Sequence, residues 1–281
     1  MDDREFVRRL PKAELHLHLE GSLEPAMLMR LARKNSVAIP FASVEEIGAA
    51  YRFANLQEFL DIYYQGMEVL REEEDFYDLT AAYLERAAAD GAVHVEVFYD
   101  PQGHTGRDIP FAAATDGICK ALAEGAARFG VTSQLILCFL RHLPEEDALE
   151  TFRMAEPWFA DGRIIGVGLD STETGNPPAK FARVFAAARG AGLKTVAHDG
   201  EEGPAEYVRE AVDVLKVDRI DHGNRCLDDP ALVERLAKAG TALTVCPLSN
   251  VKLRVVADIA QHPLKRMLDA GLAATVNSDD P

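Results

Sequence analysis

Histidine and carboxylate side chains recur at four points along this 281-residue chain, and each point closes a short apolar run. His16 and His18 lie in AELHLHL. His198 ends LKTVAH and is followed by Asp199, Gly200 and Glu201. Asp221 and His222 end DRIDH, and Asp279 and Asp280 follow AATVNS. In a strand, residues i and i+2 share a face, so His16 and His18 point one way while Leu15, Leu17 and Leu19 point the other. Two imidazoles from one strand, a third from His198 and a carboxylate from Asp279 form a nitrogen and oxygen donor set. Such a set suits zinc with one position left for water. A lone buried histidine is usually an ordinary core residue; three at strand ends beside an Asp-Asp pair are a different case. A metal there makes water nucleophilic at neutral pH. His222 and Asp279 are placed to orient that water and take its proton. Glu201, three residues past His198, is placed to protonate a ring nitrogen, a role that requires a carboxyl kept neutral by burial. The plain alternative for Glu201 is a solvated residue at a helix start, the expectation for its neighbour Glu202.

These residues need a scaffold that brings distant strand ends together. Strand-like runs fall at 13–19, 92–99, 132–140, 164–170, 193–198, 218–222, 242–247 and 273–277, and turn residues follow most of them. Helical patterns lie between, at 111–129, 145–160, 178–190, 204–215, 229–239 and 263–270. Pro144, Pro178, Pro204, Pro230 and Pro263 stand near the starts of five of them. Strands alternating with helices predict an α/β fold, a (β/α)8 TIM-like barrel around a parallel sheet, with the active site at the C-terminal ends of its strands. Residues 20–91 are too many for one strand-to-strand connection. Helical patterns at 24–34, 44–51, 56–71 and 74–90 predict a helical insertion over the mouth, at about 24–90. No linker breaks the chain, so residues 1–281 are expected to form one domain.

Bulk composition excludes several classes. The net charge is −16, and an acidic surface disfavours nucleic acid and anionic membranes. No apolar run is long enough to span a membrane, and the N-terminus carries no secretory apolar segment. Cys119, Cys138, Cys226 and Cys246 are widely spaced and read as reduced, buried thiols. A cytoplasmic enzyme is expected.

The segments HLHLEGSLEP (16–25), AHDGEEG (197–203), RIDHG (219–223) and NSDDP (277–281) resemble, in order, the adenosine/adenine deaminase family of the amidohydrolase superfamily. The resemblance implies a metal-dependent hydrolase barrel acting on the C–N bonds of cyclic amidines. It implies one zinc ion per chain, held by His16, His18, His198 and Asp279. It implies Glu201 as proton donor, His222 as the residue that polarises the attacking water, and Asp280 as a hydrogen-bonding partner of the purine. Binuclear barrel hydrolases bridge two metals with a lysine at the end of strand four. Here that strand ends Leu169-Asp170-Ser171, so one ion is expected. FYDPQGHTGRDIPF (98–111), CPLSNVKL (246–253) and LDSTE (169–173) are similar to the adenine deaminase branch, with Glu173 meeting the ring edge that a free base leaves open. A plain turn is the alternative for Asp100-Pro101-Gln102. The implied reaction converts adenine to hypoxanthine and ammonia in purine salvage or catabolism. The alternatives are another 6-aminopurine (adenosine, an N6-substituted adenine or aminodeoxyfutalosine) or a non-catalytic metal-binding barrel. The implied partner is a small-molecule purine, and a homo-oligomer is compatible with the sequence.

Two features depart from the pattern. Position 199 is Asp where the family usually has Ala, and strand alternation should turn it away from the metal. No helix follows strand eight, so the outward residues of strands eight and one, including Leu15 and Leu17, are expected to face water. The chain is therefore expected to be a truncated form.

Overall fold

The computed structural model describes residues 2–52 and 56–280. Eight strands run β1 Lys12–His18, β2 Ala92–Tyr99, β3 Thr132–Leu140, β4 Gly166–Asp170, β5 Lys194–Asp199, β6 Arg219–His222, β7 Ala242–Val245 and β8 Ala273–Val276. They lie side by side in chain order, every pair parallel. β1 and the segment after β8 close the ring. The His18 amide donates to the Asp279 carbonyl and the Asp279 amide to the His16 carbonyl, each at 3.0 Å. Side chains add to this seam: the Leu15 amide donates to Asn277 Oδ1 (3.1 Å) and Ser278 Oγ to Glu14 Oε2 (2.8 Å). The expected (β/α)8 barrel is the observed architecture.

Alternation along the strands builds two apolar layers. Leu17, Leu19, Val95, Val97, Leu135, Leu137, Val167, Leu169 and Ala197 pack outward in one cluster with helix residues such as Leu79, Leu84, Ile118, Leu122, Phe185 and Ala188. Phe98, Ile136, Cys138 and Val196 form a separate inner cluster that fills the barrel beneath the site. A third cluster covers the far half, where Ile220, Leu243 and Val245 meet Val208, Leu232, Leu236 and Met267. All four cysteines are buried and free.

Helices span Phe111–Phe129 and Glu145–Ala160, as the periodicity predicts. The stretch expected as one helix at 204–215 is an α-helix over Ala205–Glu210 that widens into a π-helical turn over Ala211–Leu215. Asp100-Pro101-Gln102 does not form a plain turn: Pro101–Thr105 is a short helix started by the proline. Between β1 and β2 run helices Pro25–Lys34, Val44–Ala50, Leu56–Met67 and Glu73–Ala89. Helix Leu56–Met67 buries Leu56, Phe59, Leu60, Tyr63 and Met67 against Leu253, on the loop after β7. The expectation of bare outer faces needs correction. Leu17 is fully buried in the outer cluster and Leu15 is half-buried, whereas Val276 on β8 is 64% exposed. No helix of the described residues is long and apolar enough to cross a membrane.

Candidate active site

Strand alternation delivers the imidazoles of β1 to the barrel interior, where His16 and His18 face the Phe98 ring at centroid distances of 5.0 and 5.1 Å. His198, at the end of β5, points at the same place. The Nε2 atoms of His18 and His198 stand 2.9 Å apart, and those of His198 and His16 stand 3.0 Å apart. Asp279 Oδ1 lies 3.1 Å from His16 Nε2 and 3.6 Å from His18 Nε2. A tetrahedral ion with ligand distances of about 2.0–2.1 Å sets its ligand atoms roughly 3.3 Å apart. These four donor atoms therefore match the edges of such a polyhedron, and all four residues are buried.

The other ring nitrogens decide which tautomer is present. His198 Nδ1 is 3.1 Å from the Leu169 carbonyl, which only accepts, so Nδ1 carries the proton and the Nε2 lone pair faces the centre. His16 Nδ1 lies 2.9 Å from Thr244 Oγ1, which itself donates to Asp221 Oδ1 at 2.7 Å. Asp221 is fully buried and stands 3.8 Å from His16 Nδ1 and 3.6 Å from His198 Nδ1, so one carboxylate lies behind two of the imidazoles. Asp170 takes the same place behind His18, at 3.6 Å from its Nδ1. Partners of this kind fix ring orientation and raise ligand basicity in metal sites. Burial lowers the pKa of His18 to about 4 and pulls His198 well below the usual value, so both rings are neutral donors. A second cluster of potential ligands substitutes His222 and Cys246 for His18 and His198. Burial pushes the Cys246 thiol well up, which leaves it protonated and a poor ligand.

Glu201 and His222 face each other at the rim, with His222 Nε2 3.5 Å from Glu201 Oε2 and 3.8 Å from Asp279 Oδ2. Asn250, in CPLSNVKL, links them. Its Nδ2 donates to Glu201 Oε1 at 2.9 Å and lies 3.4 Å from His222 Nδ1. Burial, reinforced by the charges of Asp279 and Glu173, holds the Glu201 carboxyl well above the usual carboxylate range, which favours its acid form. Glu201 is buried rather than solvated, and the helix beyond it starts only at Ala205. Asp280 turns into the same cleft, where its buried Oδ1 has no hydrogen-bond partner among the described residues. Gly21 is required by it, since a Cβ there would sit 1.7 Å from that oxygen.

The cleft holds about 40 Å³ of free space, well under the ~300–1,000 Å³ common for small-molecule sites. Helix Leu56–Met67 roofs it with Leu56, Phe59, Leu60, Tyr63 and Tyr64, and Asp100 and Asp170 lie deep in it. Among the described residues Asp100 Oδ1 and both Asp170 oxygens lack hydrogen-bond partners, and burial raises both carboxyls, Asp170 to about 7.

Two residues lie elsewhere than the cleft wall. Asp199 turns away from the centre, as alternation predicts, and accepts from Arg141 Nη2 at 2.9 Å with both side chains fully buried. Arg141 also donates to the carbonyls of His198 and Asn176. Glu173 does not meet the cleft's ring edge. Its Oε1 accepts from the Gly200 amide (2.6 Å) and its Oε2 from the amides of Glu202 and Gly203 (2.8 and 2.7 Å). Asn250, Arg141 and the supporting role of Asp221 escape sequence reasoning, although Asn250 lies within CPLSNVKL and Asp221 adjoins His222.

A parallel barrel with its polar cluster at the C-terminal strand ends defines the class of metal-dependent hydrolases. The family profile for adenosine deaminase matches residues 11–281, and the chain belongs to that family, as a hydrolase of C–N bonds. It is 67% identical over 276 residues to the adenine deaminase of Sphingopyxis alaskensis, covering 98% of this chain and 80% of that protein. The crystal structure of adenine deaminase from Arthrobacter aurescens superposes with a TM-score of 0.94 at 50% identity, over 96% of this chain and 82% of that one. A Burkholderia ambifaria amidohydrolase solved with bound Zn gives 0.89 at 33% identity, over 99% of this chain and 77% of that one.

Proposed function

We propose that this chain hydrolyses adenine to hypoxanthine and ammonia, as a single barrel domain holding one zinc ion through His16, His18, His198 and Asp279. The observation that carries the chemistry is the convergence of three imidazole Nε2 atoms and one carboxylate oxygen beside a buried Glu201 whose carboxyl is held well above the usual range. The substrate rests on 67% identity to an adenine deaminase, and the zinc on the donor set and the zinc-bound relative. When bound, the ion would lower the pKa of water to about 7 and so supply a nucleophile at neutral pH.

The chain's own residues do the rest. Asp280, whose Oδ1 has no hydrogen-bond partner among the described residues, holds the purine by a hydrogen bond and aims C6 toward the metal centre. Glu201 delivers its proton to N1, which makes C6 electrophilic. His222 holds the attacking water and accepts its proton as oxygen adds to C6. That proton passes to the amino nitrogen, the C6–N bond breaks and ammonia leaves; N1 keeps the proton that Glu201 gave, and the proton still on the added oxygen returns to Glu201 as the C6 carbonyl forms. The roof of helix Leu56–Met67 excludes bulk water, which keeps the Glu201 carboxyl neutral. Hypoxanthine as a free base places the reaction in purine salvage or catabolism.

The test is ultraviolet monitoring of adenine, adenosine, an N6-substituted adenine and aminodeoxyfutalosine with purified protein, beside elemental analysis. The expected result is the highest kcat/KM for adenine and one zinc per chain. A kcat/KM for adenosine equal to that for adenine or above it refutes the substrate assignment. Two metals per chain refute the ligand set.

A further inference from the structure

The β4–β5 ladder stops early. Its paired residues are Gly166 with Lys194 and Val167 with Thr195, so among the described residues Val196 to Asp199 have no register partner on β4. On that side β5 is held instead by side chains and by the loop after β4. His198 Nδ1 reaches the Leu169 carbonyl, Arg141 reaches the His198 carbonyl, and Glu173 reaches the loop. Glu173 is 2% exposed, and its two carboxylate oxygens accept from Gly200 before Glu201 and from Glu202 and Gly203 after it. The loop is shaped to admit this carboxylate. A Cβ on Gly203 would lie 2.3 Å from Glu173 Oε1, and Gly200 adopts a left-handed backbone, φ +75.

We propose that Glu173 is a positioning residue for the reaction: its carboxylate clamps the backbone on both sides of Glu201 and thereby sets the reach of the Glu201 carboxyl into the cleft. The inference rests on the assignment of Glu201 as proton donor. The three amides would otherwise be orphaned in a buried loop, and a buried donor without a partner rearranges to find one. Asn250 grips only the tip of the Glu201 side chain; Glu173 grips its base. Misplacement of a reacting group by ~1 Å lowers rates by about 100-fold.

The experiment is a double-mutant cycle on the metal-loaded protein with Glu173→Gln and Glu201→Gln, read on the best purine of the panel. The amide places an NH2 group against at least one backbone N–H, so the clamp opens on one side. Glu173→Gln is expected to lower kcat by at least about tenfold while KM and metal content stay near wild type. In the Glu201→Gln background the same change is expected to alter kcat by less than about twofold, because a displaced residue that no longer donates a proton has nothing left to lose. Gly203→Ala presses on the clamp from the opposite side and is expected to repeat the pattern; it carries the comparison alone if Glu173→Gln does not fold. A wild-type kcat in Glu173→Gln, or in Gly203→Ala where it stands alone, overturns the proposal. So does a loss that multiplies with that of Glu201→Gln. A Glu201→Gln variant with near-normal kcat overturns the proton-donor assignment itself, a separate outcome from additivity with a crippled Glu201→Gln.

Discussion

Replacing Asp199 by Ala should weaken the fold and spare the metal. The Asp199 carboxylate and the Arg141 guanidinium are both fully buried, 2.9 Å apart. Burial pushes the Asp199 carboxyl up and Arg141 opposes that push. Removing one partner of a buried pair leaves an uncompensated charge, which costs about 3–5 kcal/mol. Arg141 keeps the carbonyls of His198 and Asn176 as acceptors, so the lower end, about 3 kcal/mol, is expected. For a chain of this size that lowers Tm by about 6–12 °C. Asp199→Asn, whose amide oxygen can still accept from Arg141, should lose less than half as much. The assay is thermal unfolding followed by circular dichroism, with metal content and turnover measured well below the transition. Metal content should be unchanged, because the carboxylate points away from the ligand cluster. An Asp199→Ala protein with wild-type Tm and depleted metal would refute the reasoning and place Asp199 in the metal's electrostatic environment.

Asp221→Asn removes the charge behind His16 and His198 and should weaken metal binding about 10- to 100-fold, read by chelator competition; unchanged affinity would show that Thr244 and the Leu169 carbonyl suffice. Gly21→Ala forces Asp280 aside, so kcat/KM for adenine should fall while metal content holds, and a normal kcat/KM would count against Asp280 as a purine contact. The raised Glu201 carboxyl acts in its acid form, so kcat/KM should fall as pH rises through its folded-state value, and Glu201→Gln should lack that alkaline limb in its residual activity. The same shift has a stability sign. Between the ordinary value of 4.5 and the folded-state value, the folded protein keeps a proton that the unfolded chain has released. Wild type therefore loses stability relative to Glu201→Gln as pH rises through that window, and a Tm difference independent of pH would contradict it.

Much of this arrangement is legible in the sequence because two periods speak clearly. The i, i+2 spacing of His16 and His18 places both on the inner face of β1. The runs 92–99 and 132–140 are strands to the residue, because β-branched and apolar residues fill them and polar turns bound them. Non-local partnerships carry no such signal. Glu173 lies 27 residues from Gly200 and Arg141 lies 58 from Asp199, and nothing in either segment announces the other. The reading of Glu173 as a purine contact failed for that reason. A carboxylate after a strand faces the cleft unless backbone amides claim it, and the claim comes from another strand's loop.

Backbone strain explains how consecutive residues reach one cleft when alternation should separate them. Asp199 and His222 are register partners on β5 and β6 and should share a face. Yet Asp199 turns to Arg141, while the His222 ring stands 4.7 Å from that of His16. The difference is the backbone: His222 is left-handed at φ +64. Its rotation returns the imidazole to the interior beside Asp221, which alternation already placed there behind the ligand histidines. The same device recurs at the ends of β4 and β8, where Ser171 (φ +73) and Asp279 (φ +71) each let two successive residues, Asp170 with Ser171 and Asp279 with Asp280, line one cleft. Each such non-glycine position costs on the order of 1–3 kcal/mol and persists only where its surroundings over-determine it. Asn250 stands against the His222 ring, and the closing bridge to β1 holds Asp279 from both its amide and its carbonyl. The bonds that close the barrel thus also fix the carboxylate at its centre, so a change that opens the seam between β1 and the segment after β8 releases Asp279 and the ligand set together.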